Sequence, residues 1–203
     1  MFDCFGAGQQ LTQVTFGGRT WRESPELAGQ QFAVLPVMRQ LHEVLWYLTE
    51  ALALPTAARL HDEVRTALAR TERLTGGTAG ELAALDVGAY RAEIGELLGR
   101  VSDVVRSTPG PELTGRDLMG KDLRRRDLRG ASLRGAYLIG ADLRGVDLGA
   151  ADLLGADLRA ADVRGALLGK CLFLTQPQLE AARGDARTVI SSAVRRPAHW
   201  GSP

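Results

Sequence analysis

Sulfur, imidazole and aromatic rings are scarce in this chain: 2 cysteines, 3 histidines, 3 methionines and 5% aromatic residues in 203. Cys4 and Cys171 lie far apart with no CxxC, which excludes a disulfide scaffold or a Cys/His zinc site and fits a reducing compartment. Long apolar runs are missing too. The most apolar stretch, residues 32–54, is broken by Arg39, His42, Glu43 and Glu50, so neither a membrane span nor a signal sequence is expected. Charge of one sign is not in excess: 25 Lys and Arg face 24 Asp and Glu, a formal net charge of +1 that by itself calls for neither a polyanion nor a membrane surface. There is no GxSxG, no HExxH and no pair of carboxylates that can be placed across a cleft, so no catalytic residue, no metal ligand and no cofactor is assigned. The expectation is a cytoplasmic, non-enzymatic protein without a membrane partner.

What is present falls into segments. Residues 1–110 carry 10 basic against 13 acidic side chains, residues 111–173 carry 11 against 9, and the remainder 4 against 2. Residues 31–106 have helical periodicity, with stripes at Val37, Leu41, Leu45, Leu48 and Leu52, then Leu60, Val64 and Leu68, then Tyr90, Ile94, Leu97, Val101 and Val104. Pro36 suits a first helical turn and Gly76-Gly77 a helix end. Thr78 with Glu81 makes a capping-box pattern and Asp86 offers a second cap, so the third helix is expected to begin in two pieces. Residues 107–112, with Pro109-Gly110-Pro111 inside them, read as a linker. Residues 1–30 read as an N-terminal arm, with a degenerate coil as the alternative because Leu11, Phe16 and Trp21 are five apart.

From Leu113 to Leu168 an aliphatic residue recurs every fifth position: 11 of the 12 are Leu and the other is Val163, and Phe173 continues the column. From Leu133 on, two residues before each comes a small apolar one, from Ala131 and Ala136 through Val146 to Cys171. A spacing of five belongs to neither helix nor strand, and a period this strict means a solenoid whose units bury their faces on one another. The pattern over residues 111–173 resembles the pentapeptide repeat proteins, whose units read approximately A(D/N)Lxx.

The helical stripes of residues 31–106 make a three-helix bundle the simplest result there, and the resemblance implies that a short right-handed quadrilateral β-helix of about three coils (113–173) and a C-terminal helical cap and tail (174–203) follow it, an α+β chain. It places Leu118, Leu123, Leu128, Leu133, Leu138, Leu143, Leu148, Leu153, Leu158, Val163, Leu168 and Phe173 in the solenoid core. The segments 173–188 and 195–200 look like the capped ending of bacterial members of the family.

Residues twenty apart then share a column, so Asp122, Asp142 and Asp162 stand beside Arg124, Arg144 and Arg164. The two ladders either neutralise each other or offer arginine to an acidic partner. The first coil departs from the family pattern with Arg116, Lys121 and Arg126 at small inward positions. Burying them unpaired would cost several kcal/mol each, so they turn out over the open end or meet the acidic helical segment. With Arg124 and Arg125 they complete the candidate interaction surface. Glycines two residues after the inward one, at 115, 120, 130, 135, 140, 145, 155 and 165, suit corners of positive φ. The run 115–122 mimics a phosphate loop but lacks the Ser/Thr after Lys121, and Arg183-Gly184-Asp185 spells an adhesion tripeptide without a secretion signal.

The favoured function is a rigid protein–protein interaction scaffold with an unidentified protein partner and a capacity to form a homo-oligomer. The resemblance also implies an alternative, a DNA mimic that occupies DNA gyrase and protects it from fluoroquinolones. The slightly basic repeat has the wrong sign for that mimicry. Nucleic-acid binding through Arg124, Arg125, Arg126, Arg129 and Arg134 is a third reading, weakened by interleaved aspartates and by Tyr137 being the one stacking residue of the segment.

Overall fold

The computed structural model describes residues 5–201, which form two compact units that divide between Val101 and Ser102. Cys4 lies outside the described residues.

The first unit is helical. A short helix α1 (Ala7–Gln10) runs into a π-helical turn (Leu11–Thr15), so the five-residue spacing of Leu11, Phe16 and Trp21 belongs to helical backbone and not to a degenerate coil. Leu11 and Phe16 are buried while Trp21 stays partly exposed, an outcome helical and turn geometry produces as readily as a five-residue register. Helix α2 spans Ala28–Leu52, entered through a 3-10 turn led by Pro25. It therefore begins eight residues before Pro36, which sits in its interior. The carbonyl of Phe32, deprived of its N–H partner by Pro36, belongs to an exposed residue where water can take its place. The buried stripe of α2 is accordingly Val34, Met38, Leu41, Val44, Leu48 and Ala51, with Val37 and Leu45 at its margin. Helices α3 (His61–Thr75), α4 (Ala79–Ala84) and α5 (Val87–Val105) follow. Helix α4 starts at a capping box, in which the Thr78 hydroxyl and the Glu81 carboxylate bond reciprocally to each other's backbone N–H, and α5 starts anew where Asp86 accepts from the N–H of Ala89. Ion pairs tie α5 alongside its neighbours, Arg91 to Glu43 on α2 and Arg70 to Glu93 and Arg100 to Glu63 on α3.

The second unit is a coil in which each rung is a single parallel β-bridge between residues twenty apart, such as Asp117 with Tyr137, Tyr137 with Asp157, and Asp122 with Asp142 and then Asp162. Four five-residue units therefore make one turn. The ladder is regular: Leu123 N–H donates to the Asp142 carbonyl at 2.9 Å, and Asp142 N–H returns to the Lys121 carbonyl at 2.9 Å. Extended strands do not develop because each unit spends most of its residues on a corner. Lys121 N–H reaches back to the Leu118 carbonyl across Met119 and Gly120, and Gly120 has φ 63°, the pattern of a type II turn. All eight glycines expected at corners have positive φ, and Ala150 and Ala160 take the same conformation without being glycine.

Pairing begins before the expected start of the repeat. Gly110 N–H donates to Gly130 and Glu112 bridges Ser132, so residues 110–112, read above as linker, are already the first rung. A Cβ on Gly110 would collide with the backbone of Arg129, which is why a composition typical of linkers serves here as a close backbone approach. Pairing also outlasts Phe173, since Asp162 bridges Arg183 and Leu167 bridges Val189. Those spacings of 21 and 22 accommodate helix α6 (Gln176–Ala181), inserted at the end of the column.

Inside the tube Leu123 through Phe173 and the alanines between them are buried. Leu113 and Leu118 are only half-buried, whereas Leu123 and Leu128 of the same coil are buried.

Candidate interaction surface

The outer faces of the coil are built by the residue on either side of each inward one. The preceding residue is usually Asp, and its carboxylate accepts the N–H two residues on: Asp122 from Arg124, Asp142 from Arg144, Asp157 from Arg159 and Asp162 from Arg164, at 3.1–3.2 Å. Gly149 and Leu154 donate likewise to Asp147 and Asp152. These Asx turns hold the first corner amide, so each aspartate is first a component of the turn and only then a surface charge. Reading the aspartates as a ladder of charge missed this role. The signal was present in their fixed place one residue before the inward one.

The arginine two residues after the aspartate then closes on it. Arg124, Arg144 and Arg164 lie 2.7, 2.6 and 2.6 Å from Asp122, Asp142 and Asp162 of their own units. Arg124 also reaches Asp142 at 3.2 Å and Arg144 reaches Asp162 at 3.7 Å, so the column is a zipper. Asp185 and Arg187 extend it, with Asp185 accepting the Gly165 N–H at 2.9 Å. The neighbouring guanidinium, through its hydrogen bonds, holds the Asp122, Asp142, Asp157 and Asp162 carboxyls below their usual range. For Asp185 burial pushes upward, but the bonds from Gly165, Thr188 and Arg187 outweigh it and bring the group from 3.8 to about 2. Arg124, Arg144, Arg164 and Arg187 line a shallow groove with Asp185 at its end, and each is already spoken for by a carboxylate.

Half a turn round the coil from Asp142, Asp152, fully buried, is held by Arg134 at 3.1 Å and by the N–H of Leu154. Below it Ser132 bonds Thr114, which also bonds Glu112. Arg106, buried, donates to the Gly130 carbonyl at 3.1 Å and pins the first corner.

Arg116, Lys121, Arg125 and Arg126 are different. All are exposed, and among the described residues their side chains make neither an ion pair nor a hydrogen bond. The candidate surface thus divides into arginines committed to the coil and cations of the first coil that are not.

The remaining candidates are structural. His42, His61 and His199 each set a ring nitrogen against a backbone carbonyl, of Phe5, Leu54 and Ala182. Cys171 is half-buried with Sγ on the Leu148 carbonyl. Trp46 is half-buried beside the Phe5 ring, and Tyr47 is buried with its hydroxyl on Glu43. Arg183-Gly184-Asp185, read above as tail, forms part of the last rung: Arg183 bridges Asp162, Gly184 lies against the Trp200 ring, and Asp185 caps Gly165. The run 115–122 is two corners of the coil and no phosphate loop. Among the described residues no three His, Cys, Asp or Glu are grouped to hold a metal ion, and no helix is long and apolar enough to cross a membrane.

Single-residue parallel rungs every twenty residues, with Asx-capped corners between, define a pentapeptide-repeat β-helix attached to a helical N-terminal region. The chain belongs to the pentapeptide repeat family: the family model for pentapeptide repeats matches eight copies over residues 117–153 and 131–173. It is similar to the uncharacterized protein YybG of Bacillus subtilis (strain 168), 53% identical over 205 residues that cover 98% of this chain and 74% of that one. Two solved structures are also similar. One is the pentapeptide repeat protein Rfr23 of the cyanobacterium Cyanothece 51142, 31% identical over 39% of this chain and half of its own, with a TM-score of 0.28. The other is a pentapeptide repeat protein of the Arabidopsis thaliana thylakoid lumen, 32% identical over 46% of this chain and 63% of its own, with a TM-score of 0.21.

Proposed function

We propose that the protein is a non-enzymatic scaffold of the bacterial cytoplasm whose repeat coil presents a rigid surface to a protein partner. In this reading the coil is the family's right-handed, four-sided prism, closed at its C-terminal end by α6 and the Trp200 turn, and the N-terminal helices form a three-helix bundle. The observation that supports it most is the double use of Asp122, Asp142 and Asp162, each capping a corner and pairing with arginine. Charges held in that way lose little side-chain entropy on binding, an advantage for recognition and of no use to turnover.

Purification of the tagged full-length chain from its host, with a deletion of the helical segment beside it, tests the proposal. A protein recovered in stoichiometric amount, or a homo-oligomer by light scattering, is the expected result. A monomer that recovers nothing overturns it, and inhibition of gyrase supercoiling without DNA binding would replace it with the DNA-mimic reading.

A further inference from the structure

Resting on that scaffold reading, we infer that the rim of the first coil, formed by Arg116, Lys121, Arg125 and Arg126, docks an acidic protein segment. The positions one coil further on are Ala136, Ala141, Gly145 and Val146, and the two alanines and the valine are buried. The first coil thus gives up inward aliphatic groups for exposed cations, and Leu113 and Leu118 stay half-covered. In the later coils Arg134, Arg144, Arg159 and Arg164 each find a carboxylate within 4 Å and Lys170 stands alone among the described residues, so uncompensated positive charge is concentrated at the rim. Like charges in close array repel, and an anionic partner relieves that repulsion.

The rim backbone selects the kind of anion. Tyr137 and Asp142 exchange both of their backbone groups with the first coil, whereas the N–H and C=O of Asp117 and Asp122 make no backbone hydrogen bond among the described residues. A polypeptide supplies donors as well as acceptors to such an edge; a phosphodiester backbone supplies acceptors alone. Asp117, Asp122 and Asp127 are exposed between the cations. A continuous row of phosphates would run across them, while a peptide can set its carboxylates at separate points.

The test is fluorescence anisotropy of the full-length chain with a labelled ten-residue glutamate-rich peptide and with a ten-nucleotide oligothymidine. The peptide is expected to bind with saturation and more tightly than the oligonucleotide. Joint replacement Arg116→Gln, Lys121→Gln, Arg125→Gln and Arg126→Gln should weaken it about tenfold. Arg159→Gln, which removes a charge already paired with Asp157 outside the candidate surface, should change it less than about twofold. Should the fourfold variant melt early, Arg125→Gln with Arg126→Gln alone should still weaken binding measurably. Tighter binding of the oligonucleotide, no saturable peptide binding, or equal losses in the rim and control variants each overturn the inference. A host protein recovered equally by wild type and rim variant would remove the rim as the docking site while leaving the scaffold reading intact.

Discussion

At the scale of the residue, the coil asks one question at ten of its corners: which side chain tolerates a left-handed conformation. Glycine answers it at eight places, while Ala150 and Ala160 answer it at φ 58° and 56° under strain. Ala160→Gly should therefore raise stability by about 1 kcal/mol, read as a higher denaturation midpoint, and Gly140→Ala should lower it by a similar amount. Aspartate solves the neighbouring problem of the corner amide, and its environment makes it acid-resistant. Asp185 sits at about 2 when folded against 3.8 ordinarily, so its contribution is present above pH 4 and drains away as pH falls through about 2; the paired aspartates of the other corners shift in the same direction. The melting temperature of the repeat unit should be level from pH 8 to about 5 and fall below about 4. A fall centred near pH 6 would contradict this account of the corners.

At the scale of the element, α6 works as a plug. Gln178 donates to the carbonyls of Leu153 and Ala156 at 2.8 and 2.9 Å and closes the Thr175 capping box from the other side. Gln178→Ala should cost about 2 kcal/mol by taking the side-chain donor from the Ala156 carbonyl and leaving that of Leu153 with the Ala156 N–H alone, more than the roughly 1 kcal/mol of Thr78→Ala at the exposed cap of α4; paired denaturant titrations compare them. The sequence shows elements unevenly, for a physical reason. A period of five kept over twelve units, unlike the three positions Leu11, Phe16 and Trp21, has no competing interpretation, so the buried column from Leu123 to Phe173 and the eight glycine corners could be read in advance. Helical stripes tolerate a rotation by one position, and the stripe assigned to α2 came out turned because Pro36 was taken for the start of a helix that in fact runs through it. The first rung is hidden in the sequence because Gly110 and Pro111 have the composition of a linker, and it is the Gly110 bond to Gly130 and the Glu112 bridge to Ser132 that reveal it. Of the candidate surface, the residues could be named in advance; their division into spent and unspent charge could not, since pairing depends on where the corners point the side chains.

At the scale of the whole molecule, each coil bonds to the one before and the one after, so the repeat unit is a chain of nearest-neighbour interfaces. Leu143 is in the middle of it and buried. Leu143→Asp would place a bare carboxylate in the aliphatic interior, at a cost of several kcal/mol, and should abolish hydrogen-exchange protection in the coils on both sides at once. Retention of protection in residues 150–170 would show that the coils do not depend on one another as the ladder indicates. Leu143→Ala, with a cost of about 3 kcal/mol, should keep the coil folded at a lower midpoint.

The twenty-residue rung spacing has a consequence for how such a chain can change length. Duplicating or excising four consecutive units returns each side chain to its own face, with Arg164 still above an aspartate-and-arginine pair. Gaining or losing a single unit turns everything downstream by a quarter of a revolution, and the charged seam breaks at that joint. Lineages of this protein should differ in the interior of the repeat by multiples of twenty residues, with smaller insertions confined to the ends, where the bridges at Arg183 and Val189 already absorb one and two extra residues.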